Sequence, residues 1–321
     1  MNPDAAKAIP EFARRGIISR ERASLLLRIA CGDLVTVHRE IRLLFYLGVL
    51  LTTTGVGLLV QQNYRHIGPV TIAVVIGAGA VACLSLAAKR AQPFSWMETP
   101  SPSLGFDYLL LLGVLLAGAD LAFIEIQFTP LGAHWPWHLL IVSVLMACIA
   151  VRYDSRTVFS IALSTFAAWR GLSVSFIEKP VWLASEESVR MNSLGCGVLF
   201  VLLGSFLVRG KKKPHFEPVA VHLGWFLILG ALVSGIGGGG AEGIVYIALL
   251  STTGAFLAWR SYSGRRFGLF AFGVFAVYLA AIGLVFKAGL GFSGDLACIM
   301  ITSVVLIALL WKAQKKMKEP V

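Results

Sequence analysis

An all-α polytopic membrane bundle of about ten transmembrane helices, preceded by short cytoplasmic amphipathic helices, is the fold class this sequence predicts. Three observations predict it. Hydrophobic residues make up 57% of the 321-residue chain and charged residues only 14%, against roughly a quarter charged in a soluble domain. Ten apolar stretches approach the length that crosses a bilayer. The loops between them alternate between rich and poor in Lys and Arg, as loops on the two sides of a membrane do. A water-soluble class is thereby excluded. The net charge of +11, which in a soluble protein would point to nucleic acid, becomes a record of loops retained in the cytoplasm. No nucleic-acid partner is expected.

Residues 1–42 are read as a cytoplasmic segment of short amphipathic helices. Asp4 can cap the first, which runs to about Arg15, and Gly16 suits the left-handed position after its end. Ser19 can cap a second, with Ala23, Leu25, Leu26, Leu27 and Ile29 as its apolar stripe and Gly32 as its stop. The segment is too small for a core of its own. Its arginines sit beside the anionic inner face of a membrane, so lipid headgroups are its expected partners, and a helix-turn-helix reading finds no recognition element. No cleavable signal peptide is expected, because the first long apolar run starts only at Leu43.

The transmembrane domain, 43–311, holds candidate spans at Leu43 to Val60, Pro69 to Ala88, Phe106 to Phe128, His138 to Val151, Thr157 to Ile177, Asn192 to Val208, Val219 to Ile236, Gly243 to Trp259, Phe267 to Phe286 and Leu296 to Trp311. Eight or nine spans are the alternatives. Residues 312–321 form a basic tail. With the N-terminus inside, 23 of the 28 Lys and Arg residues fall on the cytoplasmic side, while only Arg65, Lys179, Arg190 and Lys287 fall outside and Arg170 lies within a span. Adding or losing one span would invert every later loop, so the same pattern tests the count. Both termini are therefore expected in the cytoplasm of a bacterial inner membrane. Tyr64, Trp96, Trp135, Trp137, Tyr153, Trp182, Trp259 and Trp311 lie near span ends, as an interfacial aromatic belt requires.

A family resemblance is carried by the stretch Gly16-Ile17-Ile18-Ser19-Arg20-Glu21-Arg22-Ala23, by Leu47-Gly48-Val49-Leu50-Leu51 with Gly55, by Gln61-Gln62-Asn63-Tyr64, and by Gly118-Ala119 through Gln127. Over roughly the first half of the chain, these resemble a large group of bacterial multi-pass proteins, domain of unknown function 2157. Tyr64 stands where that group tends to have Trp. The resemblance implies an inner-membrane protein with a short cytoplasmic lead, and implies no activity.

A charge at mid-membrane costs about 2.5–3.5 kcal/mol on insertion scales, so each one needs a partner or water. Asp120 and Glu125 in the third span and Arg170 in the fifth are such residues. At about 1.5 Å per residue, Asp120 and Arg170 lie at the same depth on helices that run the same way, which predicts a buried Asp120–Arg170 cluster with Glu125 one turn further out. Such a cluster would be either a static ion pair between two helices or a substrate or proton site lining a cavity. The run Gly237, Gly238, Gly239 and Gly240 predicts a glycine-rich outer turn. It lacks the Lys-Ser or Lys-Thr of a phosphate loop, so it is either a flexible turn or an unwound helix end that offers backbone groups to a ligand.

His134 and His138 are four apart, but Pro136 between them favours an interfacial anchor over a metal site. The cysteines Cys31, Cys83, Cys148, Cys196 and Cys298 show no ligand spacing. No catalytic constellation, metal or other cofactor is expected, and no enzyme. The functional expectation is a transporter- or permease-like bundle for a small solute or lipid; a non-transporting scaffold or sensor that recruits a cytoplasmic partner is the alternative. A homo-oligomer is compatible with either.

Overall fold

In the computed structural model of the chain, the described residues are 10, 12–16, 19, 21, 23, 24, 38–99, 101–131, 136–171, 187–289 and 292–318. Every regular element among them is helical. Two compact units divide the chain at Gly68 and Pro69.

The first unit contains α1, His38–Ile67, which holds the apolar stretch Leu43–Leu58. Ahead of it, Gly16 adopts φ +70 after a helical turn at 12–14, and the Ala23 N–H donates to Ser19 O at 2.9 Å. Asp4, Leu25, Leu26, Leu27, Ile29, Cys31 and Gly32 lie outside the described residues.

The second unit runs α2 Pro69–Arg90, α3 Leu104–Phe128, α4 Pro136–Tyr153, α5 Arg156–Trp169, α6 Glu187–Arg209, a 3-10 turn Pro214–Phe216, α7 Glu217–Ser234, α8 Gly240–Ser263, α9 Phe267–Ala288 and α10 Phe292–Lys318. The starts follow local chemistry. Pro69 and Pro136 open their helices where a missing N–H costs nothing. Ser103 and Ser155 cap α3 and α5 by accepting from the N–H groups of Phe106 and Val158, both at 3.3 Å. Helices α2, α3 and α6 to α10 each contain a stretch long and apolar enough to cross a bilayer, and the apolar parts of α1 and α4 are shorter. With 14 residues, α5 is about 21 Å long against a hydrocarbon core of about 30 Å. The expected span Thr157 to Ile177 thus stops at Trp169 as a helix, with Gly171 at φ +90 just beyond. A β-carbon is disfavoured at that angle.

Outward faces carry Leu, Val, Ile and Phe in the open, such as Leu202, Phe206, Val304 and Ile307. In lipid these need no burial, and helices are held by close packing of small residues instead. The closest approaches occur within consecutive pairs. A β-carbon at Gly224 of α7 would sit 2.7 Å from Gly197 O of α6, and one at Gly273 of α9 would sit 2.5 Å from Ala258 N of α8. Two buried clusters fill the interior. One joins Phe106, Val114, Met146, Phe159, Phe200 and Phe216, with Phe159 and Phe216 stacked at 4.5 Å; the other joins Leu229, Leu250, Leu257 and Ala276.

Side-chain bonds fix which loops share an end. Thr99 N donates to Asp154 at 2.6 Å, Lys213 N to Trp96 O at 2.8 Å, and Arg266 pairs with Glu217. At the opposite end Arg190 reaches Glu242 at 3.2 Å and Lys287 reaches Gly238 O at 3.0 Å. Helices α2 to α9 therefore alternate in direction. The basic loops around residues 152–156, 211–213 and 265–266 share one end, and the glycine run occupies the other.

Candidate functional site

Asp120 lies 16 residues into α3, about 24 Å along its axis. It faces α2. A β-carbon at Gly77 would stand 2.8 Å from Asp120 Oδ2, so the carboxylate fits only because residue 77 has no side chain. Its other oxygen, Oδ1, is buried without a hydrogen-bond partner. An unsatisfied buried carboxylate oxygen is costly, more so when charged, and calls for an external partner.

Glu125 is buried, with 8% of its surface exposed. Its Oε2 accepts from Leu131 N at 3.3 Å and its carbonyl from Thr129 N at 2.9 Å, where Thr129 takes a left-handed conformation. This closes the C-terminal turn of α3. Arg170 caps the short α5 and turns toward α6: its Nη2 donates to Asn192 Oδ1 at 2.8 Å, and Asn192 Nδ2 donates back to Arg170 O at 3.1 Å.

The expected Asp120–Glu125–Arg170 cluster is therefore not assembled. The rise per residue still gives Asp120 and Arg170 similar heights, but equal height does not fix direction. One side chain leaves α3 toward α2 and the other leaves α5 toward α6. Asn192 is the partner that sequence reasoning missed; a polar residue at the edge of an apolar span was its signal.

The glycine run is a turn packed at its base and open at its tip, since β-carbons at Gly237, Gly239 and Gly240 would meet nothing within 4 Å. A β-carbon at Gly235 would fall 2.3 Å from the Tyr246 ring, and Gly238 O is held by Lys287. Gly239 caps α8 in extended backbone, and Gly240 already belongs to that helix. Arg190, only 6% exposed, stacks 4.6 Å over Tyr246 and pairs with Glu242 beside the run. His134 of the histidine pair and the neighbouring Trp135 lie outside the described residues.

The most buried charges are ones the sequence did not single out. Asp154 sits in the turn between α4 and α5, and its Oδ1 lies 3.1 Å from Lys213 Nζ and against His215 Nε2. The side chains of Asp154, Lys213 and His215 are 7%, 2% and 4% exposed. Neither ring nitrogen of His215 has the alignment of a hydrogen bond. Asp154 and Lys213 both adopt positive φ, at +62 and +51, a strain of about 1–3 kcal/mol each that the surrounding contacts must hold. Lys213 Nζ also lies 5.3 Å over the Phe94 ring. The adjoining cavity of about 30 Å³ has room for about two or three waters, since about 10–15 Å³ holds one. This site ties three loops together and is too small for a substrate. In the sequence, Lys211, Lys212 and Lys213 read alike as solvated charges; the lone acid in the Tyr153-Asp154-Ser155 turn was the available signal.

No curated protein and no solved structure matches the chain. Its apolar helices make it a multi-pass helical membrane protein. Residues 10–159 match the family described as "predicted membrane protein (DUF2157)", so the resemblance carried by the first-half motifs holds over that stretch.

Proposed function

We propose that the chain is a permease-like bundle of the bacterial cytoplasmic membrane, with both termini inside, that moves a small solute or lipid past Asp120. The supporting observation is the unpartnered, buried Oδ1 of Asp120 within the span of α3. Ionisable groups at membrane depth mark pathways when the protein leaves them without a fixed counter-charge. A proton, a cation or a solute donor would supply what the chain does not. Because Oδ2 rests on Gly77, any group bound there acts directly on the contact between α2 and α3.

Vesicles containing the protein should pass at least one probe from a panel of cationic, anionic and neutral small solutes and a fluorescent phospholipid. Asp120→Asn should lower that flux about tenfold or more, equivalent to about 1.4 kcal/mol of lost stabilisation. Flux equal to that of empty vesicles across the panel would count against transport. It would favour a scaffold or sensor anchored by the bundle, a reading supported by the closed network of Asp154, Lys213 and His215.

Sidedness has its own test. In a background without the native cysteines, Gly239→Cys should react with an impermeant maleimide on intact spheroplasts, and Lys212→Cys only in inverted vesicles. The reverse result would overturn the orientation.

A further inference from the structure

At the glycine-run end, a groove of about 360 Å³ opens between the end of α5 and the first turns of α6. We propose that it binds one anionic phospholipid, with the phosphate on Arg170 and Asn192 and the acyl chain along Phe166, Gly195 and Leu199.

The argument begins with an unneutralised charge. Arg170 lies about 21 Å along α5, and Asn192 about 26 Å from the far end of α6, so both lie toward the glycine-run ends of their helices. A guanidinium there needs an anion. Arg170 spends one of its donors on Asn192, lies 5.6 Å from the ring of Trp169 and faces the thiol of Cys196, none of which is a carboxylate. Among the described residues no carboxylate pairs with it. Five donors in a fixed fork suit a phosphate, and the Asn192 bond holds the fork toward the groove.

The lower part of the groove is apolar and open. Asn192 to Leu199 spans about two helical turns, or about 10 Å. A β-carbon at Gly195 would meet nothing within 4 Å, so the absent side chain leaves real space. A volume of about 360 Å³ falls in the range of about 300–1,000 Å³ that ligand pockets occupy. Charge at the interfacial end with a greasy channel leading inward is the layout of a lipid. A free phosphate would leave the channel unused. This site is independent of Asp120, so neither reading depends on the other.

The test uses the full chain, purified and delipidated in detergent, with retained ligand read by native mass spectrometry. The probes are a phosphatidylglycerol, a phosphatidylcholine with the same chains, and inorganic phosphate. The wild type should retain the phosphatidylglycerol about tenfold better than the phosphatidylcholine, a difference of about 1.4 kcal/mol. Arg170→Gln should erase that preference, and Gly195→Leu should remove the bound lipid. Gly230→Leu should change nothing, since a β-carbon there also meets nothing within 4 Å. Equal retention of the two lipids by the wild type would overturn the proposal, as would unchanged phosphatidylglycerol binding in Gly195→Leu. Binding of inorganic phosphate that Arg170→Gln abolishes and Gly195→Leu leaves intact would reduce the site to an ionic one and overturn it too. Should Arg170→Gln fail to fold, Gly195→Leu decides alone, because its side chain enters open space.

Discussion

Asp154→Asn should destabilise the folded protein by about 3–5 kcal/mol, because it strands a buried cation. Lys213 has only 2% of its side chain exposed and finds its counter-charge in Asp154 at 3.1 Å. Removing that charge leaves an ammonium enclosed by Phe94 and the 91–99 loop, with room beside it for only a few waters rather than a full hydration shell. The same carboxylate receives the Thr99 N–H at 2.6 Å, so the loop after α2 should loosen as well. Denaturation followed by tryptophan fluorescence in a fixed detergent would measure the loss. The double variant Asp154→Asn with Lys213→Met should recover much of it, because a neutral, similarly long side chain no longer demands a partner. A single variant within about 1 kcal/mol of wild type would refute burial of the pair, since that is the range of exposed ion pairs. Arg156→Gln supplies the comparison: its bond to Glu98 joins side chains that are 53% and 60% exposed, and little should change.

Gly273→Val should separate α8 from α9 and cost about 1–3 kcal/mol or more. The new β-carbon would sit 2.5 Å from Ala258 N and 2.6 Å from Gly254 O. Both are backbone atoms on the facing helix, so no rotamer change relieves the overlap. In lipid the pair has no hydrophobic drive to fall back on, and close packing is its principal attraction. Gly230→Ala makes the contrast sharp. Nothing lies within 4 Å of its β-carbon, and exchanging Gly for Ala inside a helix should stabilise by about 0.5–1 kcal/mol. Matching effects of the two substitutions in the same denaturation assay would show that the α8–α9 contact is looser than the structure has it.

Much of the fold was legible because it rests on one-dimensional properties. Apolar length marks helices, and charge asymmetry marks ends, so the shared end of Arg152, Lys213 and Arg266 could be read before any contact was seen. The glycine run was placed at the opposite end by the same logic. Direction around a helix axis was not legible to this degree. The hydropathy of α3 is nearly uniform around its circumference, leaving no face to say whether Asp120 looks toward α2 or α5. Depth alone therefore paired it with Arg170, when Gly77 was offering the space. The shortness of α5 was hidden for a related reason: Leu172 to Ile177 continue an apolar pattern, and only Gly171 hinted at the stop. Lys213 escaped notice because three successive lysines look identical until a turn with positive φ buries the last of them.

The glycine contacts within consecutive helices also bear on biogenesis. Gly197 and Gly224 are 27 residues apart, and Gly254 and Gly273 are 19 apart, so each hairpin can close as soon as its second helix leaves the insertion machinery. Asp154 and Lys213 are separated by 59 residues and must wait until α6 has crossed and its trailing loop has emerged. These separations favour insertion by self-contained hairpins. On that order Lys213 stays hydrated until its loop has emerged, and gives up its water only when the finished hairpins dock.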